Sequence, residues 1–160
     1  MKNLLYLSLA VLLAACSVSC KKDNLDICTK MDDENFKEYC YKNFDLDGDH
    51  KVTRIEAAAV LHISFMKEIE YKSLKGIEYF TNLETLYAFA NHVQYLDVTK
   101  NTKLTSLNCQ HNSLTSLDVS KNTKLTDLNC LNNPLQTLYI SSGQSATTWQ
   151  VPEGCHIVYK

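Results

Sequence analysis

The chain has 160 residues, 45% of them hydrophobic and 21% charged, with a formal net charge of -2. That length holds one modest globular domain with accessory segments and excludes two large ones. Along the repeats the lysines fall singly and are not gathered into a patch, so a nucleic-acid partner is not expected.

The first residues, MKNLLYLSLAVLLAAC, place Lys2 ahead of an apolar run from Leu4 to Ala15. This is the layout of an export signal, and the run is too short to span a bilayer. Leu13-Ala14-Ala15-Cys16 resembles the lipobox of bacterial lipoproteins, in which a peptidase cuts before the cysteine and lipid is attached to it. The resemblance implies a lipoprotein signal peptide over residues 1–15, lipid on Cys16 and a place in the bacterial cell envelope, most simply the outer membrane. An ordinary secretory peptide is the plainer alternative. Cys20 is a second possible anchor that lacks the leucine three residues before it. Residues 16–31 then read as a lipidated tether, polar from Lys21 to Asn24. Export brings the remaining cysteines into a compartment where disulfides form. None of them makes a CxxC pair, which disfavours a zinc cluster. Cys28 and Cys40 could bridge, although Cys40 also fits as an ordinary apolar helix position.

Residues 32–62 read as a helical cap. DDENFKEYCYKNF sets Phe36, Tyr39, Cys40 and Phe44 on one face of a helix beginning near Asp32. It runs into DLDGDHKVTRIE, which resembles an EF-hand calcium loop. With Asp45 as position one, Asp47, Asp49, the Lys51 carbonyl, Thr53 and Glu56 fall at three, five, seven, nine and twelve, so every oxygen position is filled. Calcium is the implied cofactor. His50 takes position six, where such loops carry glycine and the backbone has positive φ. That conformation costs a non-glycine residue on the order of 1 kcal/mol, about a decade of affinity at most. A register starting at Asn43 would put Gly48 at six but Arg54 at twelve, where no oxygen is offered. The alternative is a polar helix-turn-helix with solvated acids. A single loop suits a brace that covers the end of the next domain better than a paired sensor.

After an irregular stretch containing Tyr71, Leu74 and Ile77, a period of 21 residues sets in. Leu86, Leu107 and Leu128 keep it, as do Ala88, Cys109 and Cys130, and Asn91, Asn112 and Asn133. An offset copy carries Leu96, Leu117 and Leu138 followed by Val98, Val119 and Ile140. Each half-repeat ends on an inward, outward, inward alternation, the period of a short strand, so each coil is expected to have two strands on opposite sides. The pattern resembles the bacterial leucine-rich repeats with nested half-repeats and, more loosely, the internalin-like proteins. Exported leucine-rich-repeat lipoproteins also look similar in setting an acidic loop before a stretch like GIEYFTNL. The resemblance implies a leucine-rich-repeat solenoid of short parallel strands over residues 63–143, with an N-terminal helical EF-hand-like cap and an irregular C-terminal cap over 144–160. It also implies one buried ladder of Asn91, Asn112 and Asn133 and the start of another at Asn101 and Asn122. Cys109 and Cys130 share their inward position with Ala88, which marks a slot for a small apolar group. Trp149 is expected to plug the open end of the solenoid.

No catalytic motif appears. The five histidines form no HExxH, no GxSxG is present, and the chain is not expected to be an enzyme. A binding or adhesion module on the envelope, with a protein or glycan ligand, is the leading reading; a glycan-capture accessory and a purely structural envelope component are the others. The expected contact patch is the outward face carrying Tyr87, Phe89, Asn108, His111 and Leu131, with Tyr95 and Tyr139 on the opposite side as the runner-up.

Overall fold

The computed structural model describes residues 24–65, 70–145 and 148–160. The proposed signal peptide, Cys16 and Cys20 lie outside the described residues. Helix α1 (Glu34–Phe44) starts where the Asp33 carboxylate accepts the Phe36 N–H at 2.9 Å. It buries Phe36, Cys40 and Phe44, as their spacing predicts. Helix α2 (Arg54–Ala59) starts from a capping box between Thr53 and Glu56 and ends at Val60, whose extended backbone leads into strand β1 (His62–Ser64).

Six further strands follow among the described residues: β2 (Thr85–Tyr87), β3 (Ser106–Asn108), β4 (Ser116–Asp118), β5 (Asp127–Asn129), β6 (Thr137–Ile140) and β7 (His156–Tyr159). They build two parallel sheets, one in the order β1-β2-β3-β5 and one in the order β4-β6-β7. The register pairs Leu86 with Leu107 and Leu107 with Leu128, so the 21-residue period becomes stacking of equivalent residues. The coils of β3–β4 and β5–β6 have two strands each, the coil of β2 meets the second sheet only through a bridge between Asp97 and Asp118, and the leucines of both halves fill one core together with Val98, Val119, Cys109 and Cys130.

Buried asparagines close the turns. Asn112 accepts the Val93 N–H at 3.0 Å and donates to the carbonyls of Ala88 and Cys109, at 2.8 and 3.0 Å. Asn133 repeats this one coil later, taking the Leu114 N–H and donating to Cys109 and Cys130. Asn91 takes the Tyr71 N–H. The amide suits the slot because one group must accept from one coil while donating to carbonyls of another. In the second row Asn101 donates to Ile77 and Phe80, and Asn122 to Val98 and Asn101. Just before the first row, Ala90, His111 and Asn132 all have left-handed backbone, with φ of 55°, 54° and 55°. Asn132 is the residue of the three best suited to it.

The N-terminal end of the solenoid is covered by aromatic packing. Phe36 of α1 meets Phe65 edge-on at 5.7 Å, Phe44 meets Phe80 at 5.3 Å, and Tyr39 meets Phe65 at 5.0 Å. Asp33 ties the layers together, since its second oxygen accepts the N–H groups of Lys72 and Ser73 at 2.7 and 3.2 Å.

Two expectations are corrected. The tether was placed over residues 16–31, but a 3-10 turn at Ile27–Lys30 buries Ile27 and Cys28, and Met31 is buried beside it. These apolar side chains find a core that the polar residues around them conceal. Gly76 leaves room for Met31: its φ is 107°, and a Cβ there would stand 2.6 Å from the Met31 Cγ. The tail was placed in an irregular cap, but it continues the coils. Gln150 bridges Asn129, and β7 pairs with β6. Trp149 is buried one period after Leu128, and its indole N–H donates to Thr126 at 3.1 Å, so it ends the leucine row from within the period.

Candidate functional site

Two places carry the chemistry expected from the sequence. The first is the acidic loop between α1 and α2. Asp45 accepts the N–H groups of Gly48 and His50 at 2.8 and 3.0 Å, Asp47 accepts that of Asp49, and Asp49 that of Lys51. His50 has φ 63°, the left-handed turn expected of position six, and Gly48 has φ 77°. These bonds aim three carboxylates at one another, and Asp45, Asp47 and Asp49 each offer an oxygen within 4.8 Å of the others. The Lys51 ammonium stands 3.2 Å from Asp49 and offsets part of the charge.

Glu56 does not join this group, and Thr53 is bonded to Glu56. Glu56 is buried, with one oxygen on the Leu46 N–H at 2.8 Å and the other on the N–H and hydroxyl of Thr53 at 2.7 and 2.8 Å. It therefore spans the loop, joining its second and ninth positions. From outside, Asp26 accepts the Val52 N–H at 3.1 Å, and Ile27 donates to the Val52 carbonyl at 2.8 Å. Sequence reasoning missed this strap. Its signal was an acid followed by two apolar residues inside a stretch read as tether.

The second place is the outer face of the four-stranded sheet. A depression of about 480 Å³ is lined by Tyr87, Ser106, Asn108, Asp127, Thr148 and Gln150, among others. Tyr87 is 42% exposed at its edge. The structure thus gathers two residues of the expected patch, Tyr87 and Asn108, and leaves Phe89, His111 and Leu131 outside. Phe89 and Leu131 are half-buried where the chain leaves the strands. The His111 ring nitrogen Nε2 lies 2.9 Å from the Asn132 amide nitrogen, a contact that uses Nε2 as acceptor. Thr148 and Gln150 were missed, although they stand one 21-residue period after Asp127 and Asn129.

On the opposite side Tyr95 is 72% exposed, whereas Tyr139 lies under the Lys160 ammonium, 3.8 Å from its ring centre. Lysines that look scattered in the sequence also meet here. Lys100, Lys121 and Lys160 line one depression with Thr99 and Ser120, and Lys160 is paired with Asp118.

Inside the solenoid, burial pushes the Cys109 thiol well above its usual range, with Cys130 adding to the effect. Burial also pushes Cys130 up to about 12. A thiolate is disfavoured at both, so neither is an activated nucleophile.

No protein-family model and no curated protein matches the sequence. Among solved structures the fold is similar to the functional domain of InlJ from Listeria monocytogenes, which includes a cysteine ladder, with a TM-score of 0.66 and 28% identity. The match covers 82% of this chain and 29% of that one. The architecture is a leucine-rich-repeat-type solenoid of parallel strands. Cys109 and Cys130 stack in it at equivalent positions of successive coils.

Proposed function

We propose that this chain is a non-catalytic binding module of the bacterial envelope, which captures its partner on the face of the four-stranded sheet. The observation that carries the reading is the depression beside Tyr87. Residues at equivalent positions of successive coils converge there on a rigid backbone, so that binding orders little of the protein. Its hydroxyl, amide and carboxylate groups beside one aromatic ring favour a glycan over an apolar protein surface, and a protein ligand is the second reading. Full-length protein immobilised on a surface and exposed to a glycan array and to envelope extract tests both. A ligand captured in this way should bind Tyr87→Ala at least about tenfold more weakly, the loss of a central aromatic contact. It should bind Tyr95→Ala normally, and the reverse result would move the site to the other face.

Calcium belongs to the same proposal as a brace. Three aspartate oxygens within 4.8 Å of one another are hard donors of the kind the ion takes. Asp45, Asp47 and Asp49 would hold it, with Glu56 joining only if it released a capping N–H. Bound calcium would supply positive charge that relieves repulsion among the carboxylates and stiffens the cap. Melts in millimolar calcium and in chelator should then differ, with the calcium form the more stable. Asp45→Ala should abolish the difference, and His50→Gly should tighten binding by up to about tenfold. Identical melts with and without calcium would leave the loop as a turn only.

Lipid on Cys16 would hold the module at the membrane. Cys16→Ser should then move the protein from the membrane fraction to the soluble one, whereas release by Cys20→Ser alone would move the anchor.

A further inference from the structure

Cys28 and Cys40 lie where two segments of the cap are pressed together. Both are fully buried. Cys28 sits in the 3-10 turn at Ile27–Lys30 and Cys40 on the inner face of α1, the two elements pack together, and the two thiols are near enough to act on one another. The segments are also held in register independently of sulfur. Asp26 accepts the Cys28 N–H at 3.0 Å and the Tyr41 hydroxyl at 2.6 Å, so residues on either side of the cysteine pair are already joined. The same aspartate reaches Val52 in the acidic loop. Each half of a bridge would therefore lie on an element whose position is already set.

We propose that Cys28 and Cys40 form a disulfide in the exported protein, locking the strap of residues 26–31 onto α1 and so bracing the acidic loop. The bond forms between the two Sγ atoms as both S–H bonds are lost. Two electrons and two protons pass to a disulfide-bearing oxidant of the export compartment, which leaves as a dithiol after the second cysteine resolves the mixed disulfide. Burial, followed by the Cys28 thiol itself, raises the Cys40 thiol far above its usual range, so Cys40 is a poor nucleophile in the folded, reduced protein. The bridge accordingly forms while the strap is still open during folding. Once made, it is shielded from reductants. Cys109 and Cys130 are buried within the solenoid core and remain thiols.

The test uses full-length protein produced in a bacterial periplasm, denatured in an alkylating reagent without reductant, digested and mapped by mass spectrometry. The expected result is one linked pair of peptides, joined through Cys28 and Cys40 and two hydrogens lighter than the pair of free thiols, with Cys109 and Cys130 alkylated. Alkylation of both Cys28 and Cys40, or linkage of either to another cysteine, overturns the proposal. Reduction of the unfolded protein before refolding should lower the melting temperature by on the order of 10 °C, the effect of opening a short closed loop. In Cys28→Ala/Cys40→Ala the same treatment should change nothing. Equal melts of the reduced and oxidised wild type would show that no bridge braces the cap.

Discussion

Asn112→Asp is expected to destabilise the solenoid by about 3–5 kcal/mol at pH 7, because it buries a charge against carbonyls. The replacement keeps the side chain's shape and its accepting oxygen, so the Val93 N–H still has a partner. It turns the donating nitrogen into a second oxygen facing the carbonyls of Ala88, Cys109 and Gln110. Two donated bonds shorter than 3.1 Å become repulsions in the core. The folded state then favours the neutral acid, which donates one of those bonds, so the aspartate pKa in the fold is raised above its unfolded value of about 3.9. The folded form binds more protons, and stability falls as pH rises between the unfolded and folded values. The deficit should therefore be smallest in mild acid, grow from about pH 4 upward and level off above the folded pKa. Thermal melts of the variant against wild type across pH check this. A variant that melts with wild type at pH 7 would show that the ladder is ornamental.

The spacing of that ladder was legible in the sequence because a solenoid writes its contacts into a period, and its burial followed from the resemblance to leucine-rich repeats. Residues 21 apart become neighbours, so the alternation at Leu86-Tyr87-Ala88 tells which side chains are inside before any coordinate is known. The left-handed turn at His50 was legible for a related reason, since its neighbours at one, three and five fix the loop's register. Segments that pack once were not legible. Ile27, Cys28 and Met31 are held by contacts to α1, the loop and the first coil, and a four-residue turn shows no periodicity to reveal a buried face.

The tail is an intermediate case. Trp149 and Gln150 keep the 21-residue step from Leu128 and Asn129, but β7 then pairs Ile157 with Leu138, two residues short of a full period. With tryptophan in a leucine slot and the second half shortened, the repeat was disguised twice. The expected contact patch is divided for a different reason. Alternation marks Phe89 and Leu131 as outward, but the strands end at Tyr87, Asn108 and Asn129, and beyond those residues alternation no longer describes the chain. Distances along the sequence likewise hide the meeting of Lys100, Lys121 and Lys160, since the last of these arrives on a strand from the disguised tail.

Asp33→Ala should cost about 2–4 kcal/mol and loosen the cap before the coils, because one carboxylate serves both. Asp33 is buried, and its first oxygen caps α1 through the Phe36 N–H. The second oxygen accepts the N–H groups of Lys72 and Ser73 in the irregular first coil. Alanine would leave these backbone donors without the carboxylate, and an unmatched donor away from water costs more than a typical bond contributes. The aromatic contacts of Phe36, Tyr39 and Phe44 with Phe65 and Phe80 would still hold α1 near the solenoid end, so the loss should appear as local opening and not as complete detachment. Hydrogen exchange reads this directly. Amides of Lys37 to Phe44 and of Lys72 and Ser73 should exchange faster together, while those of β3 and β5 keep their protection. Asn should rescue part of the cap, since its single accepting oxygen can serve Phe36 or the Lys72 and Ser73 pair but not both. Fast exchange confined to α1, with Lys72 and Ser73 unchanged, would show that Asp33 caps its helix without joining it to the solenoid.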